Sequence, residues 1–269
     1  MSRACARYPA MSNDRIKTLD GVLNFRDFGG YPTQQGGRVA RGQLYRTASF
    51  AEASNKDIAW LDGLGAKFVV DLRRPEERSE ATNLWPAIAP RTITNDDGYK
   101  ELAPHVGVLM ETDLSAQSVR AYMHGAYTHY PFEPRYVALF RAFLHGLAEE
   151  GGPAIVHCAA GKDRTGVACA LTLTALGVDH DTIVEDYELT NVAVDLDKRL
   201  PAIKARIEQR IGKSVSDEAI RPMLGVDRGY LAAAFASMKT QHRDVLAYMD
   251  AVLGVDAKMV AKLRERFVA

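Results

Sequence analysis

Two short apolar runs in the chain each end in a side chain that can take part in chemistry. The run Lys67–Asp71 ends in a carboxylate, and the run Ala154–Cys158 ends in a histidine and a cysteine. Apolar runs of this length predict buried strands. Because active sites in open α/β sheets form beyond the carboxyl ends of the strands, we expect Asp71 and Cys158 to face one crevice.

Helical periodicity dominates the rest of the chain. Behind Pro134 the apolar positions follow i, i+3, i+4, i+7 spacing, and the pair Gly151–Gly152 ends that predicted helix. A second helix follows the cysteine-containing run and stops at Gly177, after which Asp181 is the predicted N-cap of a third. Residues 195–269 have helical spacing throughout. The pattern predicts an α/β fold, a central, mostly parallel sheet flanked by helices, with a helical C-terminal part.

The same pattern predicts one domain. Residues 1–17 are polar and irregular, which predicts a flexible N-terminal tail. No later segment has the composition of a linker, so residues 18–269 are expected to form a single domain.

Composition narrows the classes of function. The 269 residues are 47% hydrophobic, which allows a sizeable core, and 34 Lys and Arg balance 34 Asp and Glu. This balance argues against nucleic acid as a partner. No apolar run is long enough to span a bilayer, and the N-terminus lacks the apolar core of a signal peptide. We therefore expect a cytoplasmic protein without stable membrane insertion.

The cysteines and histidines predict neither a disulfide framework nor a metal site. Cys5, Cys158 and Cys169 are too few and too scattered for either. The seven histidines show no metal-ligand spacing, since His124 and His129 are five positions apart. We expect no metal and no cofactor.

The most informative segment is Val156–Gly166. It places Cys158 and Arg164 six positions apart between a predicted strand and a predicted helix, so one short loop can curl around a phosphate-sized anion. Gly161 lets the backbone bend without a Cβ clash. Backbone N–H groups at the helix start attract negative charge and favour the thiolate. The neighbouring residues expected to bind the anion are His157, Ala159, Ala160, Gly161, Lys162 and Thr165.

Each residue type in this loop suits a step of phosphate chemistry. A thiolate facing a bound phosphate is a nucleophile with its substrate already oriented, which is the role expected of Cys158. Arg164 would hold two phosphate oxygens with its planar fork. Thr165 could donate its hydroxyl to the sulfur or only cap the loop. Lys162 is either a second cation for a substrate with more than one phosphate or a solvated lysine. His157 either orients the loop or is an ordinary strand-end residue.

This segment resembles the signature loop of the cysteine-dependent protein tyrosine phosphatases, which reads His-Cys, five residues, Arg and Ser or Thr. The interior Ala-Gly-Lys-Asp makes it similar to a bacterial group with the loop HCxAGKDRTG, whose members also accept phosphoinositides. That group is related to the dual-specificity and lipid phosphatases. Three further segments agree in type and order with the group: Asn24–Tyr31, Leu44–Ala48 and Val70–Arg73. The resemblance spans residues 20–190.

The resemblance implies an enzyme that hydrolyses phosphate monoesters through a phosphocysteine intermediate. Its implied substrates are phosphotyrosine proteins or phosphoinositides, with dual specificity toward phosphoserine and phosphothreonine. It also implies a helical lid, for which the segment 97–132 has sufficient length. Tyr122, Met123 and Tyr127 would then cover the cleft or pack in the core. Some relatives are exported without a signal peptide, so export stays open for this chain.

Two carboxylates compete for the role of general acid. Asp163 lies inside the loop, and both the resemblance and its fixed proximity to the phosphate favour it. A carboxylate beside Arg164 and a helix N-terminus is held in its charged form, whereas an acid must carry a proton. Asp71, at the neighbouring strand end, is expected to orient the attacking water or to act as the alternate acid.

Two rival functions remain. A sulfurtransferase or arsenate reductase also uses a cysteine in an anion-binding loop, and arsenate reduction commonly needs resolving cysteines, of which only Cys169 is near in sequence. A catalytically silent phosphate-binding module would keep the loop but not its chemistry. The presence of both Cys158 and Arg164 argues against that module.

Overall fold

The computed structural model describes residues 14–87, 90–97, 108 and 111–269, apart from the side chain of Arg210. The described residues form a sheet of five strands in the spatial order β1-β2-β5-β3-β4. β1 runs antiparallel to β2, and the other pairings are parallel. The strands are β1 Arg26–Asp27, β2 Leu44–Thr47, β3 Phe68–Asp71, β4 Arg91–Ile93 and β5 Ala154–His157. The expected α/β fold with a central, mostly parallel sheet is confirmed.

The two predicted strands lie side by side at the centre of this sheet. Every residue of β3 and β5 is buried, because the sheet is covered on both faces. Their register pairs Asp71 with His157, so both strands end at the same edge of the sheet. β5 stops one residue earlier than predicted, and Cys158 is the first residue of the loop beyond it. β4 has no apolar run, and its first two residues are exposed at the sheet edge.

Helices account for most of the remaining chain, in agreement with the helical periodicity. Those of the N-terminal half are α1 Asn55–Asp62, α2 Pro75–Glu80, α3 Ala116–His129 and α4 Pro134–Glu149. After β5 come α5 Asp163–Ala175, α6 His180–Glu188, α7 Thr190–Ala193, α8 Leu196–Ile211, α9 Asp217–Leu224, α10 Arg228–Gln241, α11 Val245–Leu253 and α12 Ala257–Phe267.

The predicted N-cap of α6 was wrong by two positions. Asp179, not Asp181, caps the helix, and its carboxylate accepts a hydrogen bond of 2.8 Å from the backbone N–H of Asp181. Both residues are acidic, so composition alone could not separate them. The difference lies in the backbone, which is extended at Asp179 and turns helical at His180.

Alternate side chains of the central strands face two different cores. Val70 and Val156 point into the larger core, which they share with α4, α5 and the C-terminal helices. Val69 and Ile155 point into a smaller core on the opposite face, against Trp85 and other aromatic side chains. This period of two explains why the strands are apolar on both faces. The sheet edge that carries Cys158 is therefore held from two sides.

The N-terminal tail was predicted to end at residue 17, and the last residues of this segment contact the sheet. The guanidinium of Arg15 lies 3.8 Å from the centre of the Tyr31 ring, and Ile16 forms a β-bridge with Arg26. Residues 1–13 and, within the predicted lid at 97–132, residues 98–107, 109 and 110 lie outside the described residues. The described end of that segment is helix α3, whose buried face packs against α9 and α10.

No helix among the described residues is both long and apolar enough to cross a bilayer.

Candidate active site

The loop Cys158–Thr165, here called the signature loop, presents a row of unused hydrogen-bond donors. The backbone N–H groups from Ala159 to Thr165 have no acceptor within the described part of the chain. Three of them belong to the start of α5, where the helix dipole is positive. Cys158, at the beginning of the loop, is only 2% exposed. The arrangement is an anion-binding cradle next to a thiol.

The loop keeps this shape because its carbonyl groups are bound from outside. The Asn24 side-chain amide donates to the carbonyl oxygens of Ala160, at 3.1 Å, and Gly161, at 2.8 Å. Arg46 Nη2 donates to the Gly161 carbonyl at 3.0 Å. Gly161 has a positive φ of 63°, and a Cβ there would lie 2.2 Å from the carbonyl oxygen of Thr47. Only glycine therefore fits this turn.

A buried charge network supports the loop from below. Arg46 Nη1 donates to Asp186 Oδ2 at 3.1 Å, and Tyr31 donates to the other carboxylate oxygen at 3.0 Å. Arg26 donates to the Asn24 side chain and, at 2.9 Å, to Thr190. Burial and the neighbouring Arg46 lower the pKa of Arg26 to about 10. The structure thus links the N-terminal segment, β2 and α6 to the underside of the signature loop.

Arg164 retains a free fork although it is nearly buried. Its Nη1 donates to Glu77 Oε2 at 2.5 Å and to the Leu72 carbonyl at 3.2 Å, and its Nη2 donates to Glu77 Oε1 at 2.8 Å. A guanidinium has five N–H groups, so these three hydrogen bonds leave two without a partner among the described residues. Those two can bind a pair of phosphate oxygens while Glu77 holds the guanidinium plane in place.

Glu77 is therefore a positioning residue that sequence reasoning missed. Its only sequence signal is its place in the first turn of α2, close after the strand end at Asp71. It also accepts the backbone N–H of Arg74 at 2.8 Å. Burial opposes ionisation of Glu77, but Arg164 and the Arg74 N–H outweigh burial and lower its pKa to about 2.

Replacing Glu77 by Gln is expected to lower stability by about 2 kcal/mol at neutral pH, because a charge-assisted hydrogen bond to Arg164 is lost. We expect kcat to fall about 10-fold, since the guanidinium plane is no longer fixed. The wild-type pKa is depressed, so its stabilising effect is full above pH 4.5 and is lost as the pH falls through about 2. Urea unfolding from pH 7 downward should show the two proteins converging. A stability gap that stays constant with pH would contradict the ion pair.

The Asp163 carboxylate is held on one side and open on the other. Its Oδ1 accepts a hydrogen bond of 2.7 Å from Tyr127 and lies 3.3 Å from Lys162 Nζ. No described residue donates to its second oxygen. The hydroxyl groups of Tyr127 and Tyr187 are 2.5 Å apart, so Tyr187 can donate to Tyr127. Burial and the nearby Asp163 raise the pKa of Tyr127 well above its ordinary value, which keeps this phenol a donor.

Asp71 is turned toward its own strand end instead. It forms a two-pronged ion pair with Arg73, whose Nη2 lies 2.8 Å from Oδ2, and its carboxylate is 3.6 Å from His157 Nε2. Burial opposes ionisation of Asp71, but His157 and Arg73 outweigh it and lower its pKa. Burial also lowers the pKa of His157. Asp71 does not line the cavity above Cys158.

Lys162 and Thr165 differ in how they are engaged. Lys162 Nζ donates to the backbone carbonyls of Met223 and of Gly225, the latter at 3.0 Å, and so ties the loop to the end of α9. The hydroxyl of Thr165 is buried and has no hydrogen-bond partner among the described residues. Thr165 does not line the cavity above Cys158, and its predicted role toward the sulfur or the loop stays a prediction.

The signature loop forms the base of a cavity of about 310 Å³. The polar part of its lining comes from Glu77, Tyr130, Cys158, Lys162, Asp163, Arg164 and Arg199. Its other walls are mostly apolar and come from α3, α9 and the start of α8, with Leu23, Met123, Val194, Leu196, Ile203, Met223 and Leu224. Such a wall fits the aromatic or aliphatic part of a phosphate ester.

Two further residues for which the sequence suggested a role, Cys169 and Tyr122, do not line the cavity. Cys169 is buried within α5, and burial raises its pKa to about 12, which makes it a poor resolving thiol. Tyr122, expected at the cleft or in the core, is partly buried against the main core. Within the described ranges, no group of three His, Cys, Asp or Glu side chains is placed to hold a metal ion.

Comparisons with known proteins agree with this geometry. The family model of the tyrosine phosphatase family matches residues 17–269. A Cupriavidus necator protein that carries the name tyrosine-protein phosphatase is 31% identical over 93% of this chain and 88% of its own. The triple specificity protein phosphatase PtpB of Mycobacterium tuberculosis is 29% identical over 93% of this chain and 98% of its own.

Among solved structures, Pseudomonas aeruginosa TpbA covers 86% of this chain and 98% of its own, at 18% identity and a TM-score of 0.34, a likeness too low to support an argument. The family match covers nearly the whole described domain and includes the cradle, Cys158 and Arg164. It confirms the family expected from the signature loop. The chain therefore belongs to the tyrosine phosphatase family of enzymes.

Proposed function

We propose that this enzyme hydrolyses phosphate monoesters through a phosphocysteine intermediate. The observation that carries the proposal is the row of N–H groups without acceptors beside Cys158, together with the two free N–H groups of Arg164. These donors would hold the phosphate in line with the sulfur, and their hydrogen bonds would strengthen as negative charge develops on the phosphate oxygens. Cys158 then attacks phosphorus, the ester oxygen leaves with a proton, and water hydrolyses the thiophosphate.

Asp163 is proposed as the proton donor. Tyr127 and Lys162 fix one of its oxygens and leave the other toward the cavity that Asp163 lines. A proton donor must reach the atom it protonates, so this placement favours Asp163 over Asp71. In this proposal Asp71 supports the loop through His157.

The proposed substrates are phosphotyrosine proteins, with phosphoserine, phosphothreonine and phosphoinositides as further substrates. The apolar walls of the cavity suit a phenyl ring or a lipid acyl chain better than a bare phosphate. The name of PtpB, triple specificity protein phosphatase, supports a broad range of substrates in a relative of nearly the same length. A cytoplasmic location stays a prediction.

A substrate panel tests this proposal. Phosphotyrosine, phosphoserine and phosphothreonine peptides and short-chain phosphoinositides should be compared by release of inorganic phosphate. We expect kcat/KM to be highest for phosphotyrosine peptides, because the ring can fill the apolar cavity while the phosphate reaches the loop. Activity on phosphoinositides alone would contradict the proposed order of substrates.

Replacing Asp163 by Asn is expected to slow hydrolysis most for the substrates whose leaving groups most need a proton. We expect a loss of about 10²-fold on a phosphotyrosine peptide, since general acid catalysis typically contributes that much. On p-nitrophenyl phosphate, whose leaving group needs little protonation, the loss should be much smaller. The measurement is kcat for both substrates.

Asp71→Asn is the matched control for this prediction. It should slow both substrates to a similar extent, because it removes support rather than a proton. If Asp163→Asn slows both equally and Asp71→Asn discriminates between them, the role of the acid belongs to Asp71.

A further inference from the structure

A second cleft, of about 900 Å³, lies beside the catalytic cavity. One of its walls is the segment 16–24, and the other is formed by α7 and the first half of α8. Leu23, Val194 and Ile203, with Arg199, line both the cleft and the cavity. A group bound in this cleft would therefore lie next to whatever occupies the cavity.

The cleft carries more positive than negative charge. Lys17, Lys198, Arg199 and Arg206 line it, against two carboxylates, Glu52 and Asp195. All four cations are exposed, and the described part of the chain offers none of them an ion-pair partner. Over the whole chain the charges balance at 34 each, so the excess is a local feature.

Two of these cations stand where a helix least favours them. Lys198 and Arg199 lie in the first turn of α8, at the positive end of the helix dipole. The N-cap residue Asp195 makes no side-chain capping hydrogen bond there, and the acidic residue of that turn, Asp197, is paired with Arg221 at 2.7 Å. Cations at a helix start repel the dipole, and a bound anion would relieve that repulsion.

We propose that this cleft binds an acidic segment of a phosphoprotein substrate, next to the phosphorylated residue that enters the cavity. The inference rests on the proposed function and names the substrate class for it. Two facing walls admit an extended peptide, whereas a flat bilayer surface could not enter between them. The half-buried side chains of Ile16 and Leu19 also line the cleft and offer apolar contacts to a peptide chain. Exposed charges of this kind act mainly on affinity and association, and salt screens them.

The test is the binding of two labelled phosphotyrosine peptides to the Cys158→Ser protein, followed by fluorescence anisotropy. The peptides share one sequence, except that flanking Glu and Asp in the first are Gln and Asn in the second. We expect the acidic peptide to bind on the order of 10-fold more tightly at low salt, and this preference to shrink as salt is raised. Adding Lys198→Glu and Arg206→Glu to the protein should abolish the preference. The matched control reverses two exposed lysines on α12 outside the cleft, Lys258→Glu and Lys262→Glu, and should retain it.

Equal binding of the two peptides would overturn the proposal, as would a preference that survives both charge reversals. If the reversals weaken binding of a soluble inositol polyphosphate and leave the peptide preference intact, the cleft belongs to a phosphorylated headgroup and the acidic-peptide assignment fails. Hydrolysis of p-nitrophenyl phosphate by the wild-type enzyme is scored separately. Its absence would count against the proposed function and not against the cleft, because the binding assay needs no turnover.

Discussion

Replacing Cys158 by Ser is expected to reduce turnover of p-nitrophenyl phosphate by at least about 10⁴-fold, comparable to the loss of other enzyme nucleophiles. A serine hydroxyl is a much weaker acid than a thiol, so it stays protonated at neutral pH and is a poor nucleophile, whereas the thiolate is the reactive form of a cysteine. Anion binding should persist, because the donors belong to the backbone and to Arg164. The measurements are kcat and the dissociation constant of inorganic phosphate.

Cys169→Ser is the control for that loss. Cys169 is equally buried but lies within α5 and away from the cavity, so its replacement should change kcat little. A Cys158→Ser enzyme with substantial activity would show that water attacks the ester directly, without a covalent step. A loss of activity together with a loss of phosphate binding would point to a collapsed loop.

Replacing Arg164 by Lys is expected to lower kcat/KM by about 10²-fold or more, even though the positive charge is kept. One positioned donor to the transition state is worth several kcal/mol. An ammonium group cannot bind Glu77 with two parallel hydrogen bonds and still offer a planar pair to the phosphate. The loss should appear mainly in kcat, because the backbone N–H groups continue to bind the ground state.

Thermal unfolding separates this effect from misfolding. The variant should keep most of its stability, since the lysine can still form a single ion pair with Glu77. Near-wild-type rates in the Arg164→Lys enzyme would contradict the proposed fork.

The parts of the site that are formed by residues close together in the sequence could be predicted from it. The apolar runs located β3 and β5, and their parallel register follows from two strands that end in polar residues at one sheet edge. The spacing of Cys158 and Arg164 predicted a loop with donors facing an anion, because a strand, a glycine turn and a helix start are local features. Periodicity also predicted helices at residues 200–211, 231–238 and 245–252, where the structure has α8, α10 and α11.

The partners of these residues were not predictable, because they come from distant parts of the chain. Glu77 lies 87 positions before Arg164, and Tyr127 lies 36 before Asp163. Lys162 shows the same limit. The sequence suggests a free cation beside a phosphate. In the structure its ammonium group donates to two carbonyl groups that lie 61 and 63 positions later in the chain, and the packing of α9 brings them close. Asp71 stands at the predicted strand end, but Arg73 turns its carboxylate away from the cavity.

A rapid denaturing quench during turnover shows whether phosphate passes through Cys158. A phosphorylated substrate is mixed with the wild-type enzyme, quenched on the millisecond timescale and digested for mass spectrometry. We expect one phosphoryl group on the peptide that contains Cys158, rising before steady state, and none in the Cys158→Ser protein. Turnover with no phosphoryl group on Cys158 at any time, or with the group on another residue, would contradict this expectation.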